Sequence, residues 1–238
     1  MNLGKKAVED LIQGIKNSLD KVQSKSEMLV FPSSVHLGMV SDAFRNTKVR
    51  VGAQNIYPSK LAAFTGEISP EQLKDFGIED VLVGHSERRQ FLNENDEFLN
   101  KKIHHILEEG LKPMLCIGET LSEREANKTF EIVKEQLIGG LSGVSKDKVL
   151  KITIAYEPVW AIGTGKVATP EQAEEVHAFI RKELKNLYDE STSESMSILY
   201  GGSVKPDNIK ALLEKPNIDG GLVGGASQKA DSYLGLFP

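Results

Sequence analysis

Short apolar runs alternate with longer amphipathic stretches along almost the whole of this 238-residue chain, and this alternation restricts the fold more than any other feature. The runs lie near residues 28 to 32, 49 to 53, 80 to 84, 113 to 117, 151 to 156, 197 to 200 and 220 to 223. Each is rich in Val, Ile or Leu with little polar alternation, the pattern of parallel strands covered on both faces. Such a sheet needs helices outside it. Amphipathic stretches near 4 to 19, 36 to 45, 70 to 76, 96 to 109, 122 to 141, 170 to 188 and 206 to 214, with a short one after 227, supply them. Thr169-Pro170-Glu171-Gln172 and Lys205-Pro206-Asp207-Asn208 read as helix starts with proline in the first turn. No linker or repeat interrupts the pattern, so residues 1–238 are expected to form a single α/β domain.

The charge balance narrows the partner. A formal charge of -5 and a pI near 5.7 argue against a nucleic-acid footprint, which needs clustered Lys and Arg in excess over acids, and leave a small molecule as the expected ligand. The single cysteine, Cys116, lies in the apolar run Met114-Leu115-Cys116-Ile117 and cannot form an internal disulfide, which suits a reducing compartment. There is no apolar run of the length a signal peptide or membrane span requires, and the expected location is cytoplasmic.

The segment from Ala155 to Lys166, Ala-Tyr-Glu-Pro-Val-Trp-Ala-Ile-Gly-Thr-Gly-Lys, carries the most chemistry. It sets one acid, Glu157, at a strand end and follows it with a compact, glycine-tipped loop. Pro158 fixes the exit angle, Trp160 anchors one hinge, and Gly163 and Gly165 let backbone N–H groups approach an anion. This suits a general base beneath a lid; the plain alternative is a solvated loop glutamate. Gly84-His85-Ser86-Glu87-Arg88-Arg89 follows another apolar run, and Tyr200-Gly201-Gly202-Ser203 and Gly224-Gly225 end two more. Glycine pairs ordinarily mark turns, and Gly163-Thr164-Gly165 lacks the spacing and downstream acid of a dinucleotide site.

Taken together and in this order, these motifs resemble the triosephosphate isomerase family over essentially the whole chain. The resemblance implies a (β/α)8 TIM barrel with its site at the C-terminal ends of the strands. It implies that Glu157 shuttles a proton between adjacent carbons of a triose phosphate and that His85 acts as a neutral imidazole, a helix N-terminus disfavouring its charge. It further implies that the Ser86 hydroxyl holds Glu157 while the lid is open and that Glu87 stands beside His85. Ile162 and Leu222 would close over the base, and the Tyr200 hydroxyl would tie the closed lid at Ala168. Backbone N–H groups of Gly163, Ser203, Gly224 and Gly225 would grip the phosphate dianion. No metal and no organic cofactor is implied. The loop 54–67, with Phe64 near its tip, would insert into a second subunit through Thr65, giving a homodimer.

One departure bears on activity. The family opens with a strand ending Asn-Trp-Lys-Met-Asn, and Met1-Asn2 matches only its last two residues, so strand 1 and its lysine are expected to be missing from the chain as written. An internal methionine taken as the start is the favoured explanation, with a true truncation as the alternative. Lys5 and Lys6 fall on the first helix, where a lysine pair is ordinarily solvated, and an impaired, phosphate-binding barrel is therefore the competing functional reading. Another phosphosugar barrel enzyme would share the glycine grip but not the contexts of Glu157 and His85 together. The remaining histidines are read blandly: His104 and His105 are adjacent on a helix and point apart, and His36 and His177 lack ligand spacing.

Overall fold

The computed structural model describes residues 2–162 and 167–237. Among them, strands β1 Met28–Val30, β2 Val49–Ala53, β3 Asp80–Val83, β4 Lys112–Ile117, β5 Thr153–Tyr156, β6 Ile198–Tyr200 and β7 Gly220–Gly221 form one sheet in sequential order. Every pairing is parallel. The helices are α1 Lys5–Ser18, α2 Leu37–Phe44, α3 Pro70–Asp75, α4 Ser86–Phe91, α5 Asp96–Glu108, α6 Leu121–Glu125, α7 Thr129–Leu141, α8 Lys146–Val149, α9 Pro170–Leu187, α10 Glu190–Ser195, α11 Ile209–Leu213 and α12 Ala230–Leu234. All seven expected strands are present at their expected places.

The sheet curls. Leu82, Met114, Cys116 and Ala155 form a small buried cluster that also takes in Leu29 and Phe31 from the β1 side and Leu199 and Leu222 from the β6 and β7 side. Residues from the two ends of the sheet can meet in one cluster only if the sheet bends round on itself, as in a (β/α) barrel. A larger cluster fills the layer between the sheet and the surrounding helices. Among the described residues β1 and β7 are the two edges, and the helical layer continues across that side: α1 packs on α12, and the Tyr233 hydroxyl donates to the Leu29 carbonyl at 3.4 Å.

Two helical stretches differ from expectation. The stretch 122–141 is two helices, because Asn127 adopts the left-handed conformation at φ 58° and breaks it between α6 and α7. Thr120 and Glu123 start α6 with a capping box. The 206–214 helix begins later than its proline suggests, with α11 spanning Ile209–Leu213. The expected start at Thr169 is present: Thr169 and Gln172 form a reciprocal capping box with Pro170 in the first turn of α9. No helix among the described residues is long and apolar enough to cross a membrane.

Candidate active site

Apart from Thr65 in the loop after β2, the sequence-predicted site residues within the described range follow the C-terminal ends of β3, β5, β6 and β7, the end of a parallel barrel where loops gather. Glu157 directly follows β5 and is only 2% exposed. Its backbone N–H donates to the Ile117 carbonyl at 2.7 Å, and the Gly201 N–H donates to the Tyr156 carbonyl at 2.7 Å, so β4 and β6 fix the backbone on both sides. The fit leaves no room for side chains: a Cβ on Gly118 would collide with the Glu157 carbonyl, and one on Gly201 would lie 2.9 Å from the Glu157 Cγ.

His85 and Ser86 meet the carboxylate from β3. His85 Nε2 lies 3.0 Å from Glu157 Oε1, and the Ser86 backbone N–H donates to Oε2 at 2.9 Å. The resemblance assigns this hold to the Ser86 hydroxyl; in the structure the backbone N–H makes the bond, which the sharp turn at Gly84, φ 74°, aims at the carboxylate. His85 is the N-cap of α4, and its Nδ1 accepts from the Glu87 N–H at 3.3 Å, so the proton on a neutral ring resides at Nε2, pointing at Glu157. Burial works against charge on this ring, but the hydrogen bond and negative charge of Glu157 outweigh it and raise the His85 pKa above its usual 6.5. This is opposite to the direction expected from the helix terminus alone. The Glu87 side chain is 73% exposed, with Oε2 3.7 Å from His85 Nδ1.

The supporting residues fall as follows. Leu222 packs on the inner cluster that contains Cys116 and Ala155. Ile162 is half-buried at the end of a short 3-10 turn, Val159–Ala161. Ala168 is buried where the chain leads into α9. Tyr200 is fully buried, and its hydroxyl has no hydrogen-bond partner among the described residues, so the expected tie to Ala168 is not made here. Ser203 is half-buried. Gly224 and Gly225 are exposed with open space above both, beside the 3-10 turn Gly225–Gln228. Gly163 lies outside the described residues. Thr65 is exposed in the loop 54–67, where Phe64 stacks on Tyr57 at 4.4 Å between ring centroids yet remains 44% exposed.

Sequence reasoning missed two buried acids. Glu119, 0% exposed, accepts from Trp160 Nε1 at 2.9 Å, Arg124 at 3.0 Å, the Tyr156 hydroxyl at 3.1 Å and the Thr129 hydroxyl at 3.3 Å. The Arg124 guanidinium also lies 4.6 Å over the Trp160 ring. Trp160, expected to anchor one hinge, is therefore held there by charge and hydrogen bonding. Glu94, 6% exposed, accepts from Arg88 of α4 and from the buried Lys102, whose ammonium also reaches Asn55 at 2.6 Å. It joins the helix beginning at His85 to the start of the 54–67 loop. Glu119 directly precedes the Thr120-x-x-Glu123 capping box, the one local sign that its backbone is fixed.

Chemically, a dry carboxylate braced by an imidazole N–H and a backbone N–H, facing loops with exposed glycine backbone, can accept and return a proton beside a bound anion. The family model described as Triosephosphate isomerase matches residues 1–237. The chain is 54% identical to the triosephosphate isomerase of Leptospira borgpetersenii serovar Hardjo-bovis (strain JB197) and 56% identical to that of Leptospira biflexa serovar Patoc (strain Patoc 1 / Ames). Each alignment covers all of this chain and 96% or 95% of the relative. It is 48% identical to the triosephosphate isomerase of Lactobacillus delbrueckii subsp. bulgaricus, over 99% of this chain and 93% of that one.

Proposed function

The chain belongs to the triosephosphate isomerase family, and we propose that it interconverts dihydroxyacetone phosphate and D-glyceraldehyde 3-phosphate, a step shared by glycolysis and gluconeogenesis. The observation that carries this reading is the buried Glu157 carboxylate clasped between His85 Nε2 and the Ser86 N–H at the strand ends. Glu157 removes a proton from the carbon beside the carbonyl, the electron pair moves onto the carbonyl oxygen as an enediolate, and the protonated Glu157 returns its proton to the neighbouring carbon. His85 donates from Nε2 to the developing oxyanion and takes the proton of the neighbouring hydroxyl oxygen, which becomes the carbonyl oxygen of the product, so the ring ends neutral. When Glu157 leaves the ring to reach the substrate carbon, the contact that raises the His85 pKa goes with it, and the Glu87 N–H on Nδ1 then favours the neutral ring.

The phosphate is gripped by backbone N–H groups of Gly163, Ser203, Gly224 and Gly225; the open space above the last two supports this. Ile162 and Leu222 exclude water from the base, Ser86 and Glu87 hold Glu157 and His85 in place, and Tyr200 latches the closed lid near Ala168. We also infer a homodimer formed through the loop 54–67 and Thr65. Its support is the apolar surface left exposed at Leu61, Phe64, Phe91 and Leu92. The buried single thiol of Cys116, whose pKa burial and then the Glu157 charge push up, suits a cytoplasmic enzyme.

A barrel that grips phosphate without turning it over is the second reading. It draws support from Lys5 and Lys6, which are 77% and 82% exposed beside Glu9 and Asp10 on α1 and bring no charge to Glu157. Phosphorus NMR of dihydroxyacetone phosphate with catalytic amounts of the chain separates the two. Growth of the aldose signal that Glu157→Asp slows by about a hundredfold or more supports the isomerase; binding without conversion supports the alternative.

A further inference from the structure

Behind the lid hinge, Tyr156, His177 and Tyr200 form a buried aromatic triangle joining β5, α9 and β6. Ring centroids are 5.8 Å apart for Tyr156 and His177, 6.2 Å for His177 and Tyr200, and 6.5 Å for the two tyrosines. The Tyr156 hydroxyl donates to Glu119. His177 Nδ1 lies 3.1 Å from the Asn217 carbonyl, and a carbonyl only accepts, so Nδ1 carries the proton and Nε2 is a bare lone pair. Burial keeps this ring neutral, its pKa lowered to about 4. Nε2 of His177 and the hydroxyl of Tyr200 are both buried with no hydrogen-bond partner among the described residues. One is an acceptor needing a donor, the other a donor needing an acceptor, and they belong to neighbouring rings. The Tyr200 hydroxyl also stands against Gly202, where any Cβ would strike it, at the entrance to the 201–203 loop.

We propose that His177 is a positioning residue for the lid latch: its Nε2 accepts the hydrogen bond of the Tyr200 hydroxyl, through one trapped water or after a small ring shift, and leaves the phenol oxygen able only to accept from other donors. An oxygen fixed as an acceptor suits a backbone N–H arriving from the lid near Ala168. A freely turning hydroxyl presents its proton to that N–H part of the time and pairs less well. This inference rests on the proposed role of Tyr200 in the lid.

Calorimetric titration of the full chain with 2-phosphoglycolate, a stable phosphate carrying a carboxylate in place of the enediolate, tests it. His177→Phe keeps an aromatic ring without the lone pair and should weaken binding about tenfold; His177→Gln, which restores an acceptor, should recover most of the loss. Tyr200→Phe should weaken binding by a similar factor, and adding His177→Phe to it should change affinity less than twofold further, since the pair acts as one unit. Equal losses for the Gln and Phe variants, or a full tenfold further loss in the double variant, would overturn the positioning role while leaving the latch intact. Unchanged binding in Tyr200→Phe would remove the latch itself, and failure of the unsubstituted chain to bind the probe would remove the functional reading beneath both.

Discussion

Replacing Glu119 tests how the lid hinge is anchored. Its carboxylate is fully buried and receives Trp160 Nε1, the Tyr156 hydroxyl, the Thr129 hydroxyl and Arg124, which bind the hinge, β5, α7 and α6 to one group. Glu119→Leu conserves approximate volume and deletes every acceptor. Removing an acceptor from a buried donor costs about 1–3 kcal/mol, and the Trp160 and Tyr156 bonds both fall in that class. The Thr129 contact is long, and Arg124, 26% exposed, recovers water, so these two add little. The expected loss is about 3–5 kcal/mol, which lowers the melting temperature of a domain of this size by roughly 10 °C. Glu119→Gln keeps one carbonyl acceptor and should cost about half as much. Urea unfolding followed by far-ultraviolet circular dichroism gives the free energy, and emission from Trp160, the only tryptophan, reports the hinge in the same samples. A loss below about 1 kcal/mol for the Leu variant would refute the anchoring argument.

Gly118→Ala puts a methyl carbon 1.8 Å from the Glu157 carbonyl oxygen, so the backbone carrying the base must move by about an ångström or more; both stability and turnover should fall, kcat by about a hundredfold, read beside an unfolding curve. His177, neutral when folded with a pKa near 4 and protonated near 6.5 when unfolded, makes the unfolded chain bind the extra proton between those values. Stability should therefore fall by about 3 kcal/mol as pH drops from 6.5 to 4, a loss that His177→Phe abolishes in acid titration of unfolding. His85 has the opposite sign: its folded pKa is raised, so its pairing with Glu157 stabilises fully below pH 6.5 and fades as pH rises through the folded value. The stability difference between the chain and His85→Gln should accordingly be largest in acid and shrink in alkali.

The sheet was legible because most of its strands are short Val-, Ile- and Leu-rich runs with little polar alternation, recurring at regular spacing between longer amphipathic stretches. The break between α6 and α7 was harder, since the apolar spacing of 122–141 runs through it; Asn127 and the capping box at Thr120 hold the local information. Glu157 and His85 could be found because their motifs are contiguous. Glu119 could not, because its worth depends on donors from positions 124, 129, 156 and 160 that only the folded chain assembles. The bond from Ser86 to Glu157 is out of reach of the sequence for a similar reason: a sequence displays side chains, whereas this bond is made by backbone. His177 read as a bland helix residue, and only its burial beside Tyr200 gives it a chemical direction.

Solvent-hydrogen exchange into dihydroxyacetone phosphate in heavy water tests the claim about Glu157 most directly, because it reports proton removal from carbon even where net conversion is slow. With the chain present, one carbon-bound hydrogen beside the carbonyl should exchange for deuterium, and Glu157→Gln should slow that exchange by about a thousandfold. Exchange at the same rate in both proteins, or no exchange above background with either, would contradict it.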